Sequence, residues 1–133
     1  MCCAACHAGM LAGGSGITPM YQVLNAILKN KSDTTCCSLV YGNVTADDIL
    51  LKAELDALAA VHPQRFKVHY VLNSPPVGWA GSSGFITADI ICAHTPAPSD
   101  DTLMLLCGPL PMCVALKKCL DQIGHEGLSQ FQF

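Results

Sequence analysis

Gly9 to Lys29 read GMLAGGSGITPMYQVLNAILK, and this segment carries a strand, a glycine turn and a helix in succession. Gly9 to Ala12 form a short apolar run of the kind buried in a sheet. Gly13, Gly14 and Gly16 then crowd into four positions, where the backbone needs freedom that side chains forbid. Thr18 is a plausible N-cap and Pro19 suits the first helical position. Met20, Val23, Leu24, Ile27 and Leu28 recur at helical spacing and predict one buried face.

The same alternation continues outward. Cys36 to Tyr41 is a continuous apolar run, as expected for a strand covered on both faces. Thr45-Ala46-Asp47-Asp48 resembles a capping box opening a helix that buries Ile49, Leu51, Leu55 and Leu58. Phe66 to Leu72 predicts a third strand, and SPPVGWAGSS (Ser74 to Ser83) a loop. Thr87 caps a short helix through Ile91, a Pro-rich link runs from Thr95 to Asp101, and Thr102 to Cys107 is a fourth strand. The last helix begins near Pro111, buries Met112, Leu116, Cys119, Leu120 and Ile123, and stops at Gly124. Ser129 to Phe133 closes the chain as a fifth strand. Strands joined by single helices cross over right-handedly, so the expected class is α/β. The expected architecture is a three-layer sandwich on a five-stranded parallel sheet of order 3-2-1-4-5.

Composition narrows the function. The 133 residues suit one domain, with 51% apolar and only 13% charged side chains. Seven Lys and Arg against ten Asp and Glu, net −3, leave no basic footprint for nucleic acid. The longest uncharged stretch, Met1 to Leu28, is interrupted by glycines, Pro19 and polar residues, so it predicts no membrane span. Nine cysteines cannot all pair within one chain. Cys36, Cys37, Cys107, Cys113 and Cys119 sit where a small buried hydrophobe would serve, which favours a reducing, cytosolic setting. Cys3 to His7 spell CAACH, the spacing that attaches a c-type haem, but the run passes into a strand and glycine loop with no helical pocket around it. A zinc or redox site, lipidated thiols and an unassigned leader over residues 1–8 remain open for Cys2, Cys3, Cys6 and His7; no metal site is expected.

In a parallel sheet ligands bind beyond the carboxyl ends of the strands, at the switch in strand order. GGSGITP, Gly13 to Pro19, follows the first strand and CGPLPM, Cys107 to Met112, follows the fourth. Glycines allow close approach to a phosphate and the helix start favours an anion, although a tight turn alone would also use them. Pro19 replaces the third glycine of the dinucleotide fingerprint, and Gly42 and Asn43 stand where an acidic residue would follow the second strand. An ordinary Rossmann dehydrogenase is disfavoured. Two such loops facing each other outline a nucleotide cleft.

These segments, MLAGGSGITPMYQVLNAILKN, LVYGNVTADDILLKAELDALA, HPQRFKVHYVLNSPPVGW, GFITADII, LLCGPLPM and the closing FQF, resemble in order and spacing the NAD-binding domain of NADH-cytochrome b5 reductases. Those are ferredoxin-reductase-like flavoproteins, and the same domain ends eukaryotic nitrate reductase. The resemblance covers Gly9 to Phe133. It implies a hydride passing from NADH to FAD and single electrons going on to cytochrome b5 or another haem protein. By position, Gly13, Gly14, Ser15, Gly16, Thr18 and Pro19 would line the pyrophosphate and flavin side, with Thr18 reaching FAD. Gly42, Asn43 and Thr45 would face the adenosine, with Asp48 capping the helix behind. Cys107, Gly108, Pro109 and Met112 would hold the nicotinamide, the thiol positioning and polarising rather than attacking. Phe133 matches the family's terminal aromatic residue.

Several positions depart from the family pattern. Ser15 replaces Thr, and Leu110 replaces a middle Pro. Asn73 is neutral at a position that influences NADH over NADPH choice. Arg65 is the only Arg between Gly42 and Asn73, which favours NADH. The family's FAD-binding β-barrel and Arg-x-Tyr-Ser/Thr motif are not found here, nor is the anchor that often ties members to the endoplasmic reticulum or outer mitochondrial membrane. The N-terminal run is therefore expected to mark a fragment or an alternative start, with the flavin domain as a partner. The chain reads first as the NAD-binding half of a cytochrome b5 reductase. The end of a nitrate reductase, or a noncatalytic nucleotide-binding or cofactor-carrying protein, are the alternatives.

Overall fold

The computed structural model describes residues 6–133, so Cys2 and Cys3 of the N-terminal cluster lie outside the described residues. Six parallel strands form one sheet: β1 (His7–Gly13), β2 (Cys36–Asn43), β3 (Phe66–Leu72), β4 (Ser82–Ser83), β5 (Thr102–Cys107) and β6 (Gln130–Gln132). Their order is β4-β3-β2-β1-β5-β6. Successive strands first add on one side of β1; β5 then returns to its other side, creating the switch point between β1 and β5. Register is tight there, with Met10 opposite Leu39 on β2 and Leu105 on β5.

Side chains alternate across the sheet and give each face its own core. Met10, Leu39 and Tyr41 point to the face packed with Met20 and Leu24 of α1 (Ile17–Lys29) and Leu55 of α2 (Lys52–Val61). Leu11, Val40 and Leu106 point to the other face, against Ile91 of α3 (Ala88–His94) and Leu116 and Leu120 of α4 (Leu110–Ile123). Both faces are covered, which explains a strand such as LVY that is apolar throughout. The α/β class and the three layers follow the expectation.

The sheet has six strands rather than five. Ser82 and Ser83, expected in a loop, pair with Val71 and Leu72; omitting this two-residue edge leaves the order 3-2-1-4-5. Its Ser and Gly content hid it, because an edge strand this short shows no hydrophobic period. β1 also starts earlier, at His7, since His7 pairs with both Cys36 and Thr102 and its N–H donates to the Asp101 carbonyl at 2.8 Å.

Two helix starts differ as well. α1 is capped at Gly16, after a 3-10 turn over Gly14–Gly16, and the exposed Thr18 lies inside the first turn instead of capping it. The Thr45–Asp48 cap does form, Thr45 N–H donating to Asp48 Oδ2 at 2.9 Å. It closes a short 3-10 turn, and α2 begins only at Lys52, after Leu51 takes the left-handed conformation at φ 60°. The other two helix signals follow expectation: Thr87 caps α3 by accepting from Ile90 N–H, and Gly124 ends α4 at φ 108°.

Of the cysteines expected to be buried, Cys37 and Cys113 are; Cys36, Cys107 and Cys119 are half-buried. Burial pushes the Cys37 thiol up to about 11. Among the described residues, no helix is long and apolar enough to cross a membrane.

Candidate nucleotide cleft

The carboxyl ends of five strands converge on one mostly apolar cleft of about 920 Å³. β1 contributes Gly13, Gly14 and Ser15; β2 contributes Gly42, Asn43 and Val44; β3 contributes Asn73; and the β5–α4 turn contributes Pro109, Pro111 and Met112. Asp47, Asp48 and Leu50 close the adjoining end.

Backbone packing shapes the floor. A Cβ added at Gly16 would overlap the Cys107 carbonyl and lie 2.9 Å from Gly108 N, so the glycine turn and the turn after β5 touch main chain to main chain. At Gly13 a Cβ would instead meet the end of the flexible Met112 side chain, which lies over the turn. Gly14 differs, sitting at φ 55° with nothing within 4 Å of where a side-chain methyl would stand; it is needed for its conformation and faces open space. Pro109 precedes α4 in an extended conformation, with φ −55° and ψ 143°, and fixes the turn rigidly.

Polar groups in the cleft are few. Asn43 is 9% exposed, and its amide nitrogen is buried. The Asn43 side chain lies against the Tyr41 hydroxyl, which it helps to hold at the floor of the cleft. Asp47 and Asp48 supply exposed carboxylates, and the cleft lining includes no Lys or Arg. Arg65 is committed elsewhere: it donates to the carbonyls of Asp33 at 2.6 Å and Ile27 at 3.2 Å, around the carboxyl end of α1. Asn73 Nδ2 donates to the Gly84 carbonyl at 3.1 Å, tying β3 to the loop after β4.

Other expected site residues stand beside the cleft rather than in its wall. Gly16, Thr45, Cys107 and Gly108 are not in the lining, though each stands within two residues of one that is; Thr18 and Pro19 belong to the first turn of α1. Cys107 is half-buried, and burial, with Cys113 nearby as a secondary cause, raises its thiol above the ordinary range. It is therefore a neutral thiol at physiological pH, suited to positioning rather than attack. Phe133 is half-exposed at the end of β6, edge-on to Phe131 at 5.0 Å, with its N–H donating to the Leu106 carbonyl.

Sequence reasoning missed Phe85, Ile86 and Leu50, which also line the cleft. Gly84, Phe85 and Ile86 directly follow β4, so recognising that strand would have placed them with the other strand-end residues. Tyr41 was read only as strand core, yet its hydroxyl donates to the Gly14 carbonyl at 2.9 Å.

Comparison with known proteins agrees with this arrangement. A family model described as an oxidoreductase NAD-binding domain matches residues 10–118. NADH-cytochrome b5 reductase 1 of Debaryomyces hansenii is 57% identical over 118 residues, covering 89% of this chain and 42% of that protein. The protein of the same name from Dictyostelium discoideum is 56% identical over 125 residues, covering 94% of this chain and 43% of that one. Among solved structures, the cytochrome b5 reductase domain of Ulva prolifera nitrate reductase has a TM-score of 0.94 and 45% identity, covering 97% of this chain and 50% of that chain. Flavohemoglobin from Malassezia yamatoensis, at 19% identity and a TM-score of 0.80, shares the fold. The chain thus spans less than half the length of the curated relatives it matches. With the parallel sheet, the strand-end cleft and the family match over most of its length, the chain belongs to the oxidoreductase NAD-binding domain family.

Proposed function

We propose that this chain is the NAD(H)-binding half of an FAD-dependent oxidoreductase of the NADH-cytochrome b5 reductase type, with cytochrome b5 or another haem protein as final acceptor. The observation that carries this reading is the cleft at the carboxyl ends of five parallel strands, built from the Gly13–Ser15 turn, other backbone and apolar groups. Such a site suits a ligand that brings its own acceptors. NADH would supply the hydride, and FAD would accept it and hand on electrons one at a time.

Within that scheme the residues divide the work. Gly13, Gly14 and Ser15 leave room for the pyrophosphate beside the start of α1, where the helix dipole favours negative charge. Gly42, Asn43 and Thr45 face the adenosine, with Asp48 holding the turn that carries Thr45. Asp47 and Asp48 disfavour a 2′-phosphate, which makes NADH the preferred nucleotide over NADPH, and neutral Asn73 adds no attraction for one. Pro109 and Met112 wall the nicotinamide end, and Gly16 with Gly108 lets the Cys107 turn pack under it. The neutral Cys107 thiol orients the ring without taking a proton. Thr18 and Pro19 on α1, and Phe133 just past β6, fall to the side that would meet the flavin.

The flavin's other contacts would come from a β-barrel domain outside residues 9–133, docked as a partner on that side. A cytosolic setting, with anchoring to the endoplasmic reticulum or outer mitochondrial membrane supplied by another segment, fits this assignment. The end of a nitrate reductase is the second reading, favoured by the TM-score of 0.94; the higher identity to the b5 reductases ranks it below the first.

Calorimetric titration of the chain with NADH tests the proposal. Saturable binding, stronger than for NADPH, is expected. A chain that binds neither nucleotide would refute it, and a haem Soret band in the purified protein would redirect attention to Cys3, Cys6 and His7.

A further inference from the structure

We propose that Tyr41 is a positioning residue for the nucleotide cleft, its hydroxyl clamping the pyrophosphate loop to the adenosine loop. The inference rests on the nucleotide reading above and deepens it. Tyr41 is fully buried on β2, directly before the cleft residues Gly42 and Asn43. Its hydroxyl donates to the Gly14 carbonyl at 2.9 Å and accepts from Leu50 N–H at 3.2 Å. One oxygen thereby joins two loops that wall different ends of the same cleft.

The consequence at Gly14 is directional. Its carbonyl also accepts from Ile17 N–H, so it is turned inward with two donors on it. In a trans peptide the following N–H points opposite to the carbonyl. The Ser15 N–H is accordingly turned away from Tyr41, and Ser15 itself lines the cleft. At the other end, Leu50 immediately precedes Leu51, the one non-glycine residue at positive φ among the described residues. The bond to Leu50 N–H holds the chain at the entrance to that unfavourable conformation.

The ring is itself held. Tyr70 lies 6.3 Å away at a tilt of 45°, its hydroxyl donates to Asp56 at 2.6 Å, and Lys52 pairs with Asp56 at 2.7 Å. A buried tyrosine hydroxyl needs partners wherever it sits, so the hydrogen bonds alone could be a matter of stability. What assigns a positioning role is where the partners are: both belong to segments that contribute to the cleft wall.

Tyr41→Phe keeps the ring and removes the bridge. Affinity for NADH and for ADP-ribose, measured by calorimetry on the full chain, should fall by a common factor of about tenfold, the equivalent of one hydrogen bond. Amide hydrogen exchange should quicken at Ser15–Ile17 and Leu50–Leu51 while β1, β2 and β5 keep their protection. Unchanged affinity would overturn the inference and leave the nucleotide reading intact. Weaker binding accompanied by lost protection throughout β2 would also overturn it, since that is the signature of a structural residue. Wild-type chain that binds neither ligand would remove the nucleotide reading and the clamp's purpose with it.

Discussion

Gly16 and Cys107 meet main chain to main chain: the α carbon of one leaves no room for a methyl group before the carbonyl of the other. This contact joins the turn after β1 to the turn after β5 across the switch point, and it explains why the third glycine of the run cannot be exchanged for another small residue. Gly16→Ala should lower unfolding free energy in urea by about 1–3 kcal/mol, the usual cost of overpacking. Gly127→Ala, where a Cβ meets nothing within 4 Å, should change it by less than about 0.5 kcal/mol. Equal effects of the two substitutions would contradict the contact.

Gly14 presents the opposite case. Its φ of 55° disfavours any side chain, but the space above it is open. Gly14→Val should therefore cost about 1–2 kcal/mol through the backbone alone and still fold, while placing branched bulk where the pyrophosphate would lie. Loss of NADH binding by a folded variant, seen by circular dichroism and calorimetry together, is the expected result. Retained binding would place the nucleotide elsewhere.

Much of this was legible because periodicity and punctuation report directly on buried faces. β3 and β5 run between the residues expected for them, and Thr87 and Gly124 mark helix ends where their chemistry says they should. What escaped notice depends on tertiary contacts. β4 is two residues held only by its pairing with β3. Thr18 looked like a cap because the 3-10 turn over Gly14–Gly16, stabilised by packing against Cys107, cannot be read from local preference. The cleft's glycines and prolines stood out as sequence; Phe85, Ile86 and the Tyr41 bridge did not, because each matters through a residue distant in the chain.

Cys107 offers a test of chemical role. Burial raises its thiol, so the neutral form persists well above neutrality and its contribution should not vary with pH between 6 and 8. In a chain joined to a flavin-binding partner, Cys107→Ala should slow flavin reduction by NADH, measured by stopped flow, by a similar factor at pH 6 and pH 8. A loss that grows steeply toward pH 8 would indicate a reacting thiolate. Unchanged reduction at both values would take Cys107 out of the site.

His125 governs a different property. It is 4% exposed, both ring nitrogens lack partners, and burial lowers its pKa below the ordinary 6.5. The unfolded chain therefore takes up this proton at a higher pH than the folded one. Its stabilising contribution is full above about pH 6.5 and declines as pH falls through the lower folded value. Thermal unfolding midpoints should drop on acidification from pH 7 toward 5. His125→Phe should flatten that slope without weakening NADH binding, because the residue lies beyond α4 and away from the cleft. A slope unchanged in the variant would assign the acid sensitivity to other groups, with His69, also lowered by burial and by His94, next to test.

The carboxylates at the adenosine end lead to a prediction with a clear sign in salt. Asp47 and Asp48 are exposed cleft residues, and the lining has no cation to offset them. A 2′-phosphate brought near them is repelled by roughly 1 kcal/mol per charge at 4 Å in water, and more where solvent is partly excluded. NADH should therefore bind more tightly than NADPH, and the ratio should shrink as ionic strength rises and screening shortens the reach of these charges. Asp47→Asn should reduce the ratio by about threefold to fivefold with little effect on NADH itself, whereas Asp48→Asn should also loosen the Thr45 turn. The choice of Asp47 separates charge from structure: it makes no side-chain bond to the turn, while Asp48 accepts from both Thr45 N–H and Thr45 Oγ1. If Asp47→Asn leaves the ratio and its salt dependence untouched, discrimination does not come from this carboxylate. Shape at Asn73 and Gly84, joined by their own hydrogen bond, would then have to supply it.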